Sequence, residues 1–240
     1  MRKRADIVLV ERGFFLSRAR AQAAIAAGLV RVGGIKLAKP SEAIAPDSEI
    51  EAEAPHPYAS RGGLKLAHAL DAFALSPEGL VCLDVGASTG GFTDVLLKRG
   101  AKHVVAVDVG HGQLDPSLRT DARVRALEGF DARDLDLAVI GEPPQAIVCD
   151  VSFISQRLAL RRALTLAARP AWLVSLIKPQ FEVGPAEIVK GRVRSEQALS
   201  RACEGVRAFL AARGWSVVGT IPSPVLGGGA REYLIAARHD

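Results

Sequence analysis

From residue 80 onward, short apolar runs alternate with stretches in which apolar residues recur at helical spacing. A short apolar run bounded by turn signals predicts a buried strand, and a period near 3.6 predicts an amphipathic helix. Strands are predicted at 80–85, 103–108, 145–150, 171–177, 215–221 and 232–237, with a further candidate at 124–127. Such alternation indicates an α/β fold, in which a mostly parallel sheet carries helices on both faces.

The first fifty residues follow a different pattern. Ser17 can cap a helix over 18–27, because its hydroxyl can accept a hydrogen bond from a free backbone amide. Gly28 can end that helix in left-handed geometry. Two short strands are predicted on either side of the Gly33-Gly34 turn, followed by a last short strand. This part of the chain is therefore predicted to be a small α+β module.

Proline and charge both mark a boundary after this module. Pro55 and Pro57 disfavour helix and remove backbone donors, which predicts a linker. We therefore expect one domain with its linker at 1–57 and a second domain at 58–240. Residues 1–40 carry a net charge of +7, whereas the remainder of the chain sums to −2. A basic module beside a near-neutral body is typical of nucleic-acid binding, although a solvated surface can have the same charge.

Composition argues against several classes of protein. No apolar stretch approaches the roughly 18 residues that a membrane-spanning helix needs, and no signal-like apolar core follows the basic N-terminus. The three cysteines lack metal-ligand spacing, so no metal is expected. Cys82 and Cys149 lie inside strand-like runs, which suggests buried free thiols in a reducing cytoplasm.

Residues 80–91 predict a strand, a glycine-rich turn and a helix, which can bind a ligand through free backbone amides. The turn departs from G-x-G-x-x-G, and Asp84 at the mouth of the strand would repel the pyrophosphate of NAD. A carboxylate there suits S-adenosylmethionine, which carries a sulfonium and an ammonium. Asp108 can accept bonds from ribose hydroxyls, and Asp131 could reach the adenine amino group. The candidate cofactor contacts are Asp84, Gly86, Ser88, Thr89, Gly90, Gly91, Phe92, Asp108, Asp131 and Asp150.

Four ionisable positions, one of them the Asp150 already named, indicate the chemistry. Asp150 and Lys178 end predicted strands, so a parallel sheet would place them at the edge where ligands bind. Lys65 is predicted in the first turn of a helix, where the helix dipole disfavours a cation by roughly 0.3–1 kcal/mol and a nearby anion would explain it. Glu232 begins the last predicted strand, on the opposite side of the same cleft. An ordinary salt bridge between Asp150 and Lys178 is the alternative interpretation of that pair.

These residue types suit removal of a proton from a ribose 2′-hydroxyl. A lysine among apolar groups and a second cation loses its proton more readily. We expect Lys178 to accept the proton and Asp150 and Glu232 to orient the Lys178 side chain. Lys65 is expected to act as the positioning cation. The sequence Asp150-Val-Ser-Phe departs from the Asn/Asp-Pro-Pro-aromatic motif of exocyclic-amine methyltransferases. Cys149 is expected to face the sheet, which argues against a cysteine nucleophile for pyrimidine methylation.

Several motifs, spread over nearly the whole chain, resemble the TlyA family. They are the S4-like segment 6–40 and the segments 58–66, 84–94, 107–114, 150–155, 177–182 and 228–233. Members of this family are S4-domain ribosomal RNA 2′-O-methyltransferases with an FtsJ-like catalytic domain, often labelled haemolysins. The resemblance implies a Rossmann-like class I methyltransferase domain, whose last strand is antiparallel, with a small S4-like RNA-binding domain before it.

The resemblance also implies functional residues and a substrate. The family's Lys-Asp-Lys-Glu catalytic set corresponds to Lys65, Asp150, Lys178 and Glu232. The implied target is a cytidine of ribosomal RNA or of a ribosomal subunit, and the short N-terminus resembles the branch that modifies the large subunit only. Asp131 stands where many members carry asparagine. The candidate RNA contacts are Arg18, Arg20, Lys36, Lys39 and Arg61.

Two other functions stay open from the sequence. A membrane-active haemolysin would need a spanning segment or a basic amphipathic helix with aromatic anchors, and the chain shows neither pattern. An S4-type ribosome assembly factor with an inactive methyltransferase fold is the second, and the intact charged set argues against it.

Overall fold

The computed structural model describes residues 2–15, 17–54, 56–226 and 229–240. These residues form two compact units, Met1–Ser60 and Arg61–Asp240. Pro55 of the predicted linker and Gly228 of the 228–233 motif lie outside the described residues.

The first unit combines two helices with short strands in its described part. Its elements are β1 (Lys3–Arg4), α1 (Ala5–Glu11), α2 (Arg18–Ala26), β2 (Val30–Val32), β3 (Ile35–Lys36), β4 (Ala43–Ile44) and β5 (Ile50–Ala52). β2 pairs antiparallel with both β3 and β5, and β1 pairs with β4. The Ser17 side chain accepts a bond from the Arg20 amide and caps α2, as predicted. The apolar sides of α1 and α2 pack into one small core with residues of the strands.

The second unit alternates strands and helices. Its elements are α3 (Gly62–Ala72), β6 (Val81–Val85), α4 (Gly91–Lys98), β7 (His103–Asp108), α5 (Pro116–Arg119), β8 (Val124–Glu128), α6 (Leu137–Ile140), β9 (Ala146–Cys149), α7 (Gln156–Leu166), β10 (Ala171–Ile177), β11 (Ile188–Val189), β12 (Arg192–Val193), α8 (Glu196–Ala211), β13 (Ser216–Pro222) and β14 (Tyr233–His239). The large strands follow the predicted ones closely, whereas the β11–β12 hairpin has no counterpart in the prediction.

The described residues of this unit form a seven-stranded sheet in the order β13-β14-β10-β9-β6-β7-β8. The five strands β10, β9, β6, β7 and β8 are parallel to one another, and β14 runs antiparallel to both β10 and β13. Because β14 is reversed, its first residue lies at the edge where the parallel strands end, with Tyr233 opposite Ile177. The sheet is therefore mostly parallel with an antiparallel last strand, as expected.

Both faces of the sheet are buried. Alternate residues such as Leu83, Val85 and Cys149 point into a core formed with α7 and α8. The intervening residues face the other way, toward the side covered by α3 and α4. Among the residues that the structure describes, no helix combines the length and apolar character needed to cross a membrane.

Candidate active site

Two strand ends bring Lys178 and Asp150 together. Asp150 directly follows β9 and Lys178 directly follows the neighbouring strand β10, and Lys178 Nζ lies 2.6 Å from Asp150 Oδ1. The ammonium also donates to Ser152 Oγ at 2.7 Å. The lysine side chain is only 12% exposed, so this ion pair is largely shielded from solvent. The sequence predicted this pair at the carboxyl edge of the sheet, and it lies there.

A second ion pair lies at the same edge of the sheet. Lys65, the fourth residue of α3, donates to Glu232 Oε2 at 2.6 Å. The exposed fractions of the two side chains are 10% and 3%. A buried lysine is costly unless it meets an anion, so Glu232 accounts for a cation in the first turn of this helix. The carboxylate reaches the site because it precedes the antiparallel strand β14.

The pairing differs from the roles suggested by the sequence. The expected arrangement had Asp150 and Glu232 both orienting Lys178, but the contact shown for Glu232 is with Lys65. The four residues thus form two lysine–carboxylate pairs rather than one group around Lys178. The antiparallel register still places them close, since Lys178 and Glu232 adjoin the paired residues Ile177 and Tyr233.

A cavity of about 620 Å³ opens beside Asp150. Of the expected cofactor contacts, Gly86, Ser88, Asp108, Asp131 and Asp150 line it. Apolar side chains complete the wall, among them Val109, Phe130, Phe153 and Ile154. A cavity of this size with mixed lining is typical of small-ligand and cofactor sites.

The glycine-rich turn follows β6 closely. Gly86 has a φ of +84°, and a Cβ at this position would lie 2.7 Å from the backbone oxygen of Asp150. Asp108 holds the other side of the turn, because its Oδ2 accepts from the Ser88 amide at 2.8 Å and its Oδ1 accepts from the Gly110 amide at 2.7 Å. These two bonds fix the turn relative to the end of β7.

Contrary to the expectation from the sequence, Asp84 is not part of the cavity wall. It is fully buried, and its Oδ2 accepts a bond from Thr93 Oγ1 of α4 at 2.6 Å. The parity of the strand explains this, because Val85 on one side of Asp84 faces the α7 side and Asp84 must face the opposite one. Its Oδ1 has no hydrogen-bond partner among the described residues. Burial, opposed by the Thr93 bond and reinforced by the charge of Asp150, raises the pKa of Asp84 to about 7.

The other residues that the sequence suggested as cofactor contacts lie outside the cavity wall. Within the described residues, Thr89, Gly90, Gly91 and Phe92 are not part of the cavity wall. Gly90, with a φ of +90°, instead starts α4, and Phe92 is buried.

Asp131 reaches the cavity but is already paired. Both of its oxygens contact the Arg133 guanidinium, with the shortest distance 2.5 Å from Nη2 to Oδ2. This hydrogen-bonded pair lowers the pKa of Asp131. A ligand amino group would therefore share this carboxylate with Arg133.

Sequence reasoning did not single out Ser152, Phe153 or Glu182. Ser152 contacts Lys178, and Phe153 lines the cavity with 91% of its surface exposed and a φ of +66°. The Glu182 side chain is only 2% exposed, and it is hydrogen-bonded to the start of α7. All three belong to the segments 150–155 and 177–182 that carried the family resemblance, which was the available signal.

The basic candidates of the first unit differ in how firmly they are held. Arg18 lies against the buried Asp6, with Nη2 2.9 Å from Oδ2, and Arg4 and Gln22 donate to the same carboxylate. These bonds, the one from Arg4 foremost, hold the pKa of Asp6 far below its usual range. Arg20 donates to the Tyr58 carbonyl at 3.1 Å.

The other candidate RNA contacts are lysines and one arginine. Lys36 and Lys39 are exposed in the first unit, and Arg61 is exposed just before α3 in the second. Exposed cations are accessible to a polyanion, so these residues stay candidates for RNA contact.

The cysteines are not suited to nucleophilic chemistry. Cys149 points into the apolar core, as expected from the position of Asp150. Burial raises the pKa of the Cys82 and Cys149 thiols to about 12, and a thiol rather than a thiolate is a poor nucleophile.

Comparison with known proteins supports the class that fold and site define. The sheet order, with a cavity at the carboxyl edge of the parallel strands, is that of a Rossmann-like α/β fold. A solved Listeria monocytogenes protein, described as a candidate S-adenosylmethionine-dependent methyltransferase, shares the fold at a TM-score of 0.55 with 14% identity, covering 75% of this chain and 100% of that one.

More specific similarity extends over the whole chain. The FtsJ-like methyltransferase family matches residues 58–239, and the S4 domain family matches residues 3–50. The chain is 44% identical to the 16S/23S rRNA (cytidine-2′-O)-methyltransferase TlyA of Mycobacterium tuberculosis, over 99% of this chain and 90% of that protein. A solved Streptococcus thermophilus protein described as a candidate hemolysin is 40% identical, with a TM-score of 0.79, covering 99% of this chain and 88% of that one. The chain belongs to the TlyA family of S4-domain, FtsJ-like methyltransferases.

Proposed function

We propose that this protein methylates a ribose 2′-oxygen of ribosomal RNA, with a cytidine as its target and S-adenosylmethionine as methyl donor. The observation that carries the proposal is the two lysine–carboxylate contacts at the carboxyl edge of the sheet, one buried and one largely shielded from solvent, in a chain of the FtsJ-like methyltransferase family. Two lysines in such a site suit deprotonation of a hydroxyl, whereas an amine or a pyrimidine carbon would call for other groups.

The residues of the cavity fit S-adenosylmethionine. Asp108 can accept bonds from ribose hydroxyls, since each of its oxygens carries further acceptor capacity beside the backbone amides it already holds. Val109, Phe130 and Ile154 supply an apolar surface that suits a purine ring. When bound, this cofactor supplies a methyl group that its sulfonium has already activated.

Lys178 is the proposed proton acceptor. As the ribose 2′-oxygen takes up the methyl group that bound S-adenosylmethionine would supply, leaving S-adenosylhomocysteine, the hydroxyl proton would move to the neutral form of Lys178. Asp150 and Ser152 fix the Nζ atom on two sides at 2.6 and 2.7 Å, which reduces the conformational freedom lost on reaching the reactive geometry. Lys65, held by Glu232, is proposed to position the ribose or its phosphate as a nearby cation.

Basic side chains on the first unit are proposed to hold the RNA. The S4 domain match and the excess of positive charge in residues 1–40 both support this assignment. The relative from Mycobacterium tuberculosis is named for ribosomal RNA of both subunits, so the choice between subunits is left to the experiment.

The test is methyl transfer by purified protein to ribosomal RNA or isolated subunits, read out by mass spectrometry of the digested nucleosides. We expect 2′-O-methylcytidine with the wild-type protein. Lys178→Ala should abolish it while cofactor binding, measured by calorimetry, is largely kept. Lys102→Ala is the matched control, because Lys102 is an exposed lysine just before β7, at the opposite edge of the sheet.

Each outcome has a defined meaning. Absence of any 2′-O-methyl nucleoside would reject ribose methylation, and methylation of a different nucleoside would reject cytidine alone. Transfer by Lys178→Ala at the wild-type rate would reject this lysine as the proton acceptor. Leakage of liposomes that persists in the Lys178→Ala protein would instead favour the haemolysin function.

A further inference from the structure

The loop after β9 and the turn after β10 are joined at several points. We call residues 150–155 the Asp150 loop and residues 178–182 the Lys178 turn. At their near ends they meet through Lys178, which contacts Asp150 at 2.6 Å and Ser152 at 2.7 Å. Farther along, the rings of Phe153 and Phe181 lie 5.4 Å apart. The far ends meet through a carboxylate that the proposed reaction does not use.

That carboxylate is Glu182, whose side chain is only 2% exposed. Its Oε2 accepts from Ser155 Oγ at 2.7 Å and from Arg157 Nε at 3.1 Å, and its Oε1 accepts from the Gln156 amide at 2.7 Å. A buried carboxylate is tolerated when several donors surround it, and the first amides of α7 favour negative charge. Glu182 therefore bonds three successive residues where the Asp150 loop becomes α7.

The backbone between the two anchored ends is strained. Phe153 has a φ of +66°, a conformation that non-glycine residues rarely adopt, and its side chain is 91% exposed. Burial of the ring therefore does not compensate for the strain. Such a conformation persists when the structure on both sides fixes it. Here the fixed points are Asp150 at the end of β9 and the bonds of Ser155 and Gln156 to Glu182.

We propose that Glu182 is a positioning residue for methyl transfer, because it fixes the far end of the Asp150 loop and thereby holds Ser152 against Lys178. This inference rests on the proposed function of Lys178. Without the Glu182 bonds, the strained segment can relax, and Ser152 moves away from the ammonium. Glu182 acts through other side chains and does not itself reach the reacting atoms.

The test compares two serines that both cap helices. Ser155 caps α7 and Ser195 caps α8, each by accepting a bond from a backbone amide. In the structure the Ser155 hydroxyl also donates to Glu182. Ser155→Ala and Ser195→Ala therefore lose similar caps, and Ser155→Ala also loses a bond to the carboxylate. Glu182→Gln keeps the shape and changes the carboxylate directly.

We expect Ser155→Ala and Glu182→Gln to lower kcat about 10- to 100-fold, as small displacements of catalytic groups do. The KM for RNA should stay near the wild-type value, because the RNA is held elsewhere. Ser195→Ala should lower the melting temperature about as much as Ser155→Ala does, because both lose a helix cap, but it should not change kcat. All rates are measured below the melting temperature, so that each variant is folded.

A double-variant cycle separates positioning from mere stabilisation. If Glu182 acts by holding Ser152, then adding Ser152→Ala to Glu182→Gln costs little further kcat, whereas independent effects multiply. Multiplying effects, or a kcat in Glu182→Gln and Ser155→Ala equal to that of Ser195→Ala, would overturn the inference. Loss of all transfer in the wild-type protein would instead count against the proposed function, so the two failures are distinguishable.

Discussion

The buried carboxyl of Asp84 gives a sharp prediction about stability and pH. It lies at 0% exposure on the α4 side of β6, where Thr93 donates one hydrogen bond to it. Replacing it by asparagine keeps the size of the side chain and the acceptor for Thr93 but removes the ionisation. The Asp84→Asn protein should therefore lose one specific component of the pH dependence of folding.

The magnitude follows from the pKa. Burial raises the pKa of Asp84 from an ordinary value of 3.8 to about 7. Because a pKa shift of one unit corresponds to about 1.4 kcal/mol, ionising Asp84 costs about 4 kcal/mol more in the folded state than in the unfolded state. The unfolded chain loses the proton near pH 4 and the folded chain near pH 7, so the wild-type protein loses stability as the pH rises between these values. Above pH 7 the full cost is present.

Urea unfolding followed by tryptophan fluorescence suits the measurement, since Trp172 and Trp215 both lie in the second unit. We expect the difference in unfolding free energy between Asp84→Asn and wild type to be about 4 kcal/mol more favourable to the variant at pH 8 than at pH 4. The cost of burying the amide is common to both conditions and cancels. Asp134→Asn, which changes an exposed carboxylate of the same unit, should show no such difference.

The reasoning fails if Asp84→Asn and wild type show parallel stability curves between pH 4 and pH 8. That result would mean that the folded protein accommodates the Asp84 charge at no cost, through a rearrangement or a cation. If the stability of Asp84→Asn relative to wild type were lower at pH 8 than at pH 4, the pH dependence would have the opposite sign. That result would show that the Asp84 charge stabilises the folded protein.

Two further predictions concern the turn and the basic module. Gly86→Ala should lower both the melting temperature and kcat, because its Cβ would press on the Asp150 carbonyl. Gly79→Ala is the control and should keep kcat: Gly79 has a φ of +71°, but a Cβ there would meet no atom of the described residues within 4 Å, so this variant has the backbone strain without the steric clash. Arg18→Ala combined with Arg20→Ala should weaken RNA binding and reduce the slope of log affinity against log salt by about one for each phosphate that is no longer neutralised. Unchanged affinity across a salt series would remove these arginines from RNA recognition.

Local patterns predicted most of the fold. The strand predictions agree with the structure within a few residues, since buried strands of a parallel sheet are nearly continuous apolar runs. The Ser17 cap and the position of Lys65 in the first turn of α3 were also predictable, because both depend on neighbouring residues only.

Features that depend on distant pairing were not predictable. The contact of Lys65 with Glu232 follows from β14 lying beside β10, which no local pattern specifies. The orientation of Asp84 depends on strand parity, and the predicted strand did not determine which face each helix covers. Glu182 was overlooked because its partners belong to a helix that starts 26 residues earlier.

The insertion of β14 between β10 and β13 also has a consequence for the order in which the protein can fold during synthesis. β13 precedes β14 in the chain, and among the described residues β14 is the one strand that pairs with it, so β13 has no partner strand until β14 has been synthesised. Until then Lys65, near the start of the same unit, has no Glu232 to neutralise it. The ion pair of Lys65 with Glu232 can therefore form only after nearly the whole domain has been synthesised.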